Sequence, residues 1–198
     1  EHLDIHSKTL TSVCLRSNLI RKMQGLNSLI NITNLELYDN KVGKIEGIDH
    51  LVQLTNLDLS YNEIRDLENL DTLVNLQTLY CANNKIKNVG DGLKQLTSLT
   101  RLDLGSNRLR KLEGFETLTN LKELWLGRNK ITQIQGIENL KTLRVLDVQS
   151  NRLLNLTYTI EDDSGDTKKK EVKKNVNKDD NNITDAMKNV SVTNKNAD

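Results

Sequence analysis

"LTNLDLSYN", residues 54–62, sets apolar side chains at Leu54, Leu57 and Leu59 and closes on Asn62. Leu57 and Leu59 are two residues apart, the spacing of side chains on one face of a strand. A single segment of this kind is a short strand and nothing more. The same nine-residue pattern recurs at 10–18, 32–40, 76–84, 99–107, 121–129 and 143–151. Its closing residue is therefore Asn18, Asn40, Asn62, Asn84, Asn107, Asn129 and Asn151, in steps of 22, 22, 22, 23, 22 and 22 residues. A fixed period of this length means one structural unit repeated and stacked, which decides the fold before any single element is assigned.

L-x-x-L-x-L-x-x-N is the leucine-rich-repeat signature, and seven copies in register make it specific. The expected fold is an α/β repeat solenoid, a right-handed leucine-rich-repeat superhelix over residues 10–156, with repeats starting near 10, 32, 54, 76, 99, 121 and 143. Each L-x-L becomes a short strand with both apolar side chains inward, and the strands stack into a parallel sheet on the concave face. The asparagine is expected inside the following turn, its amide bonding backbone groups that otherwise lack partners. Gly25, Gly47, Gly114 and Gly136, with Asn69 in the equivalent place, suit a backbone position of positive φ. The segments after them, such as "GIDHL" (47–51) and "GFETL" (114–118), are expected as short helical turns on the outer side. The extra residue of the 23-residue step falls in "NVGDGL" (88–93), an outer loop where added length is tolerated.

Residues 1–9 form an N-terminal flank placed to cover the first coil. The repeat pattern fades after Leu156, and residues 157–198 are charged and asparagine-rich with few large apolar side chains. Such a segment buries too little surface to offset the entropy of ordering, so it is expected as a disordered polar tail. Its basic run at 168–174 reads as a solvated stretch, with a weak nuclear-import signal as the alternative.

The composition excludes several classes of function. With 28 basic and 27 acidic residues the net charge is +1, so no general attraction to nucleic acid or acidic lipid is expected. No apolar run approaches a membrane span and no leader opens the sequence, which reads as that of a soluble intracellular protein. His2, His6 and His50 are not spaced for metal binding, and no phosphate loop, nucleophile elbow or zinc-type cysteine cluster occurs. No enzyme activity and no cofactor are expected. Cys14 and Cys81 lie three strands apart, about 14 Å at strand spacing, too far for a disulfide; Cys81 takes an inward core position.

What remains is the concave sheet. The residue between the two inward side chains of each strand projects onto it, and along the seven units this row reads Cys14, Glu36, Asp58, Tyr80, Asp103, Trp125 and Asp147. Four members are acidic and two are large aromatics, with Tyr38, Tyr61, Arg16, Arg101 and Arg128 at neighbouring outward positions. Surface strand positions accept many side chains, and acids there aid solubility. Yet four of the six aromatics in the chain share this face, and exposed Tyr and Trp supply the area and polar handle found at binding hot spots. An acidic, aromatic stripe repels phosphate backbones and suits a protein partner with basic or apolar patches.

The segments "SVCLRSNLI", "LELYDNKVGKIEG", "LDLSYNEIR", "LDLGSNRLRKLEG", "LWLGRNKIT" and "VLDVQSNRL" resemble the leucine-rich-repeat regulatory subunit family of type 1 serine/threonine protein phosphatase. The resemblance covers about residues 10–153 and extends to non-repeat positions. It implies a non-catalytic subunit, nuclear and cytoplasmic, monomeric apart from its partner, that holds the phosphatase catalytic subunit on its concave face. Carried over by alignment, the contacts are Asp58, Tyr80, Asp103 and Trp125, with Glu36 and Asp147 in the same row. A basic-Val-x-Phe docking peptide is absent from this chain, so binding would use the folded surface. The family continues through further repeats and a capping motif that this sequence does not contain. The alternative reading, from a different class, is a leucine-rich-repeat scaffold of a ciliary or cytoskeletal assembly.

Overall fold

The computed structural model describes residues 8–153 and the backbone of residues 155–161 and 167–173. Seven three-residue strands, β1 (Ser12–Cys14), β2 (Asn34–Glu36), β3 (Asn56–Asp58), β4 (Thr78–Tyr80), β5 (Arg101–Asp103), β6 (Glu123–Trp125) and β7 (Val145–Asp147), form one sheet. Their spatial order is their chain order, and every neighbouring pair is parallel. This is the repeat solenoid expected from the 22-residue period, with one strand per coil.

The apolar pattern explains the core directly. The central strand residues Leu35, Leu57, Leu79, Leu102 and Leu124 are fully or almost fully buried, as are their partners Leu37, Leu59, Cys81, Leu104 and Leu126 two positions on. Phe115, on the outer side, is the largest fully buried side chain. Burial pushes the Cys81 thiol far above its ordinary range, with the Asp58 and Asp103 carboxylates adding to the shift. Cys14 is exposed, and both cysteines are free.

The asparagine of each coil ties it to its neighbours. The Asn107 amide nitrogen donates to the carbonyl of Cys81 one coil back (2.9 Å) and to Leu104 and Gly105 in its own coil (3.1 and 3.2 Å). Its Oδ1 accepts the Ile86 N–H at 3.0 Å. The same set recurs at Asn40, Asn62, Asn84 and Asn129, all buried. No buried side-chain nitrogen or oxygen among the described residues is left without a partner. Asn18, in the first coil, is exposed, and among the described residues its side-chain amide donates only to the Leu15 and Arg16 carbonyls of its own turn.

The outer side takes the shortest form of the expected helical turns. Leu118 N donates to Phe115 O and Leu121 N to Leu118 O, each at 3.0 Å, and Leu51, Leu54, Leu73 and Leu76 repeat the arrangement. These are isolated i→i+3 turns, and no helix occurs among the described residues. The reason is length: a 22-residue coil leaves too few outer residues for successive i→i+4 bonds, while apolar residues three apart reach the core through single turns.

Positive φ is needed where anticipated, as at Gly114 (84°) and Gly136 (76°). A Cβ would also lie 2.3 Å from the Gly90 carbonyl oxygen at the first and 2.4 Å from that of Leu112 at the second, so neither position admits a side chain. Asn69 (57°) takes this place in the third coil and donates its amide to Ile45 O at 2.7 Å. A second left-handed position escaped the sequence reading. Ser17, Asp39, Tyr61, Asn83, Ser106, Arg128 and Ser150, each just before the repeat asparagine, have φ between 53° and 58°. None is glycine, and their varied side chains hide a shared backbone requirement.

The expectation of a wholly disordered tail needs correction. The backbone of β8 (Asn155–Glu161) and β9 (Thr167–Lys173) pairs antiparallel, from Asn155↔Lys173 to Glu161↔Thr167. Average composition hid short stretches of strand formers, Leu156 to Ile160 and the region around Val172, and the boundary drawn at 156 falls inside β8. The rest of the tail, and the flank expected to cap the first coil except for its last two residues, lie outside the described residues.

Candidate functional site

Strand register turns the sequence row into a physical one. Cys14, Glu36, Asp58, Tyr80, Asp103, Trp125 and Asp147 are successive register partners across the sheet. At about 4.8 Å per strand, their side chains form a continuous stripe on the concave face. Cys14 is exposed and the other six are half-buried. Trp125 therefore lies outside the core formed by Leu124 and Leu126, as the alternation requires.

The two halves of the stripe differ in what fills them. In the N-terminal half Arg16 reaches over the strands. Its Nε lies 3.4 Å from Glu36 Oε2, a terminal guanidinium nitrogen 4.0 Å from Asp58 Oδ2, and its Cζ 4.8 Å from the Tyr38 ring centroid. Tyr38 packs against Tyr61 with centroids 4.9 Å apart. Asn34 donates to Glu36 Oε1 and Cys14 Sγ to Oε2. Glu36 is thus occupied by partners within the chain. The sequence reading named Arg16 as a neighbour and missed this pairing, because nothing in one repeat shows that a side chain of the first coil spans to the third.

The C-terminal half is open. Tyr80, Asp103, Trp125 and Asp147 border a hollow of about 460 Å³. Ala82, Gly105 and Gly127, two residues after the row, give it a low floor where the N-terminal coils carry Arg16 and Tyr38. A Cβ on Gly105 would sit 3.1 Å from Asp103 Oδ1 and one on Gly127 3.1 Å from Asp147 Oδ2, so the small residues also make room for the carboxylates. That run of small residues was the available signal for the hollow. Tyr80 and Trp125 meet edge to face at a centroid separation of 6.5 Å.

Backbone bonds aim the acids. Oδ1 accepts the N–H two residues on in Asp58 (Ser60, 2.9 Å), Asp103 (Gly105, 2.8 Å) and Asp147 (Gln149, 2.9 Å). Gln149 Nε2 also reaches Asp147 Oδ2 at 3.2 Å. Burial pushes the Asp103 carboxyl above the usual carboxylate range, opposed by the Gly105 N–H and reinforced by Asp147 and Asp58. A raised folded-state value has a definite sign. The stability it contributes is full below the ordinary carboxylate value and is lost as pH rises through the raised one. Asp103→Asn keeps the Gly105 bond and removes the buried charge. It should melt above the parent protein at neutral pH, with the gap closing toward about pH 3; a lower melting point at neutral pH would contradict this.

Among the described residues no group of His, Cys, Asp and Glu is arranged to hold a metal ion. The arrangement offers recognition chemistry: oriented carboxylates, two accessible aromatic rings and a shallow concave floor.

Comparison with known proteins places this geometry. The leucine-rich-repeat family profile matches residues 12–150. Among solved structures, a leucine-rich-repeat protein of Leptospira interrogans shares 34% identity at a TM-score of 0.70, over 74% of this chain and 39% of that one. The functional domain of InlJ from Listeria monocytogenes shares 25% at 0.66, over 77% of this chain and 32% of that one. An internalin C2 of the same organism shares 25% at 0.62, over 76% of each. The chain spans about a third of the InlJ domain and about half of a Listeria internalin, inlF, that it also matches. No curated protein matches the sequence.

Proposed function

The chain belongs to the leucine-rich-repeat family over residues 12–150, and we propose that it is a non-catalytic regulatory subunit. In this reading its concave face binds the catalytic subunit of a type 1 serine/threonine phosphatase and modulates its activity, assembly or localisation in nucleus and cytoplasm. Solenoids of this kind present extended concave surfaces for partners, and the sequence resemblance to the phosphatase regulatory family supplies the particular partner. The observation that carries the binding role is the open C-terminal half of the stripe. Two aromatic rings remain accessible between fixed carboxylates, where the hydrophobic effect alone would bury them.

Asp58, Tyr80, Asp103 and Trp125 are the proposed contacts, with Asp147 joined to them by the shared hollow. Glu36 is demoted, since Arg16 already engages it. The test is direct binding of the full chain to purified catalytic subunit, followed by calorimetry. A dissociation constant in the micromolar range or tighter is expected for a shallow concave interface with a few aromatic anchors. Absence of heat at about 100 µM of each component would dismiss the phosphatase reading and favour a scaffold with another partner.

A further inference from the structure

The N-terminal half of the stripe shows in miniature what this chemistry holds. Arg16 lies between Glu36 and Asp58, carboxylates of adjacent strands, with its guanidinium carbon over the Tyr38 ring. One cation thus meets two acids and one aromatic face. The register repeats those ingredients farther along. Trp125 pairs with Asp103 on one side and with Asp147 on the other, so here the aromatic ring itself lies between two carboxylates, one from each flanking coil.

The difference is that, among the described residues, no cation completes the second set. Among the described residues neither Asp103 nor Asp147 has a Lys or Arg within ion-pair distance. The exposed Arg128 borders the hollow without pairing to either. Two carboxylates face one guanidinium there, leaving a net negative site. The position two residues after the row carries Arg16 in the first coil and Gly127 in the sixth, so the space that an arginine fills at one end stays open at the other. About 460 Å³ accommodates a long side chain but not a folded element.

We infer that the hollow bordered by Tyr80, Asp103, Trp125 and Asp147 receives an arginine side chain of the partner protein, its guanidinium against the Trp125 ring and between the two carboxylates. This rests on the concave-face reading above and adds the chemistry of the contact. Arginine is preferred to lysine because a planar guanidinium stacks on an indole while its edge donates to carboxylates. The fixed Oδ1 of each acid leaves the pair oriented before the partner arrives, which lowers the entropy cost of binding.

Trp125 is the only tryptophan in the chain, so its emission reports on this hollow without a label. The full chain is titrated with three blocked peptides, Gly-Arg-Gly, Gly-Lys-Gly and Gly-citrulline-Gly. The arginine peptide should give a saturable change in emission, with lysine weaker and the uncharged citrulline peptide weaker by about tenfold or more. The double variant Asp103→Asn, Asp147→Asn, shown folded by circular dichroism, should lose the arginine response. Equal responses to arginine and citrulline, a tighter response to lysine, or an unchanged double variant would each overturn the inference. Arginine binding without phosphatase binding leaves the inference standing and removes the phosphatase. Phosphatase binding that ignores both the double variant and the peptides removes the inference alone.

Discussion

Alanine at position 107 is expected to lower the unfolding free energy by about 3 kcal/mol, with a matching fall in the urea midpoint. The Asn107 side chain bonds four backbone groups in two successive coils, Cys81 and Ile86 in the coil before it and Leu104 and Gly105 in its own. Truncation strands the Ile86 N–H beside residues that are wholly buried and removes three further bonds, although the Cys81 carbonyl keeps the Asn84 amide. Each such group costs about 1–3 kcal/mol when unsatisfied. Asn18→Ala is the internal control. The same residue of the motif, in the first described coil, uses its side-chain amide only within its own turn among the described residues, so its loss should stay below about 1 kcal/mol. If the two substitutions cost the same, the asparagine acts on the turn locally and the account of how coils are joined is wrong.

That contrast marks how far the sequence could be read. Strand positions, the inward leucines, the buried asparagines and the positive-φ glycines were all legible, because each is forced by a local rule repeated seven times. Repetition averages away the ambiguity of any one short apolar run. The row on the concave face was legible for the same reason: alternation along a strand fixes direction, and register stacks equivalent positions. Features that belong to one coil only were not legible. Arg16 pairing across to Asp58 depends on side-chain reach between non-adjacent coils, which no periodicity encodes. The left-handed residue before each asparagine was hidden because Tyr61, Asn83 and Arg128 share a dihedral and no chemistry. Strands β8 and β9 were missed because average polarity was weighed over short strand-forming runs.

Trp125→Ala is expected to weaken partner binding by about 2 kcal/mol or more, roughly thirtyfold in dissociation constant, while leaving the fold intact. The two halves of that statement have separate physical grounds. The fold survives because the indole projects from the sheet face opposite the core, over Gly127, and the core is closed by Leu124 and Leu126 beneath it. Removing it leaves no buried cavity, unlike Leu124→Ala, which would cost about 2–5 kcal/mol of stability. Binding suffers because the ring is central to the open hollow, touches Tyr80 edge to face, and lies between two register-paired carboxylates. Tyr61 provides the comparison. It is also aromatic and 47% exposed, but it packs on Tyr38 outside the hollow, so Tyr61→Ala should change affinity by less than about 1 kcal/mol. A change below about 0.5 kcal/mol for Trp125→Ala, with an unaltered melting curve, would remove the indole from the interface. The accessible aromatics of the C-terminal coils would then be ordinary surface.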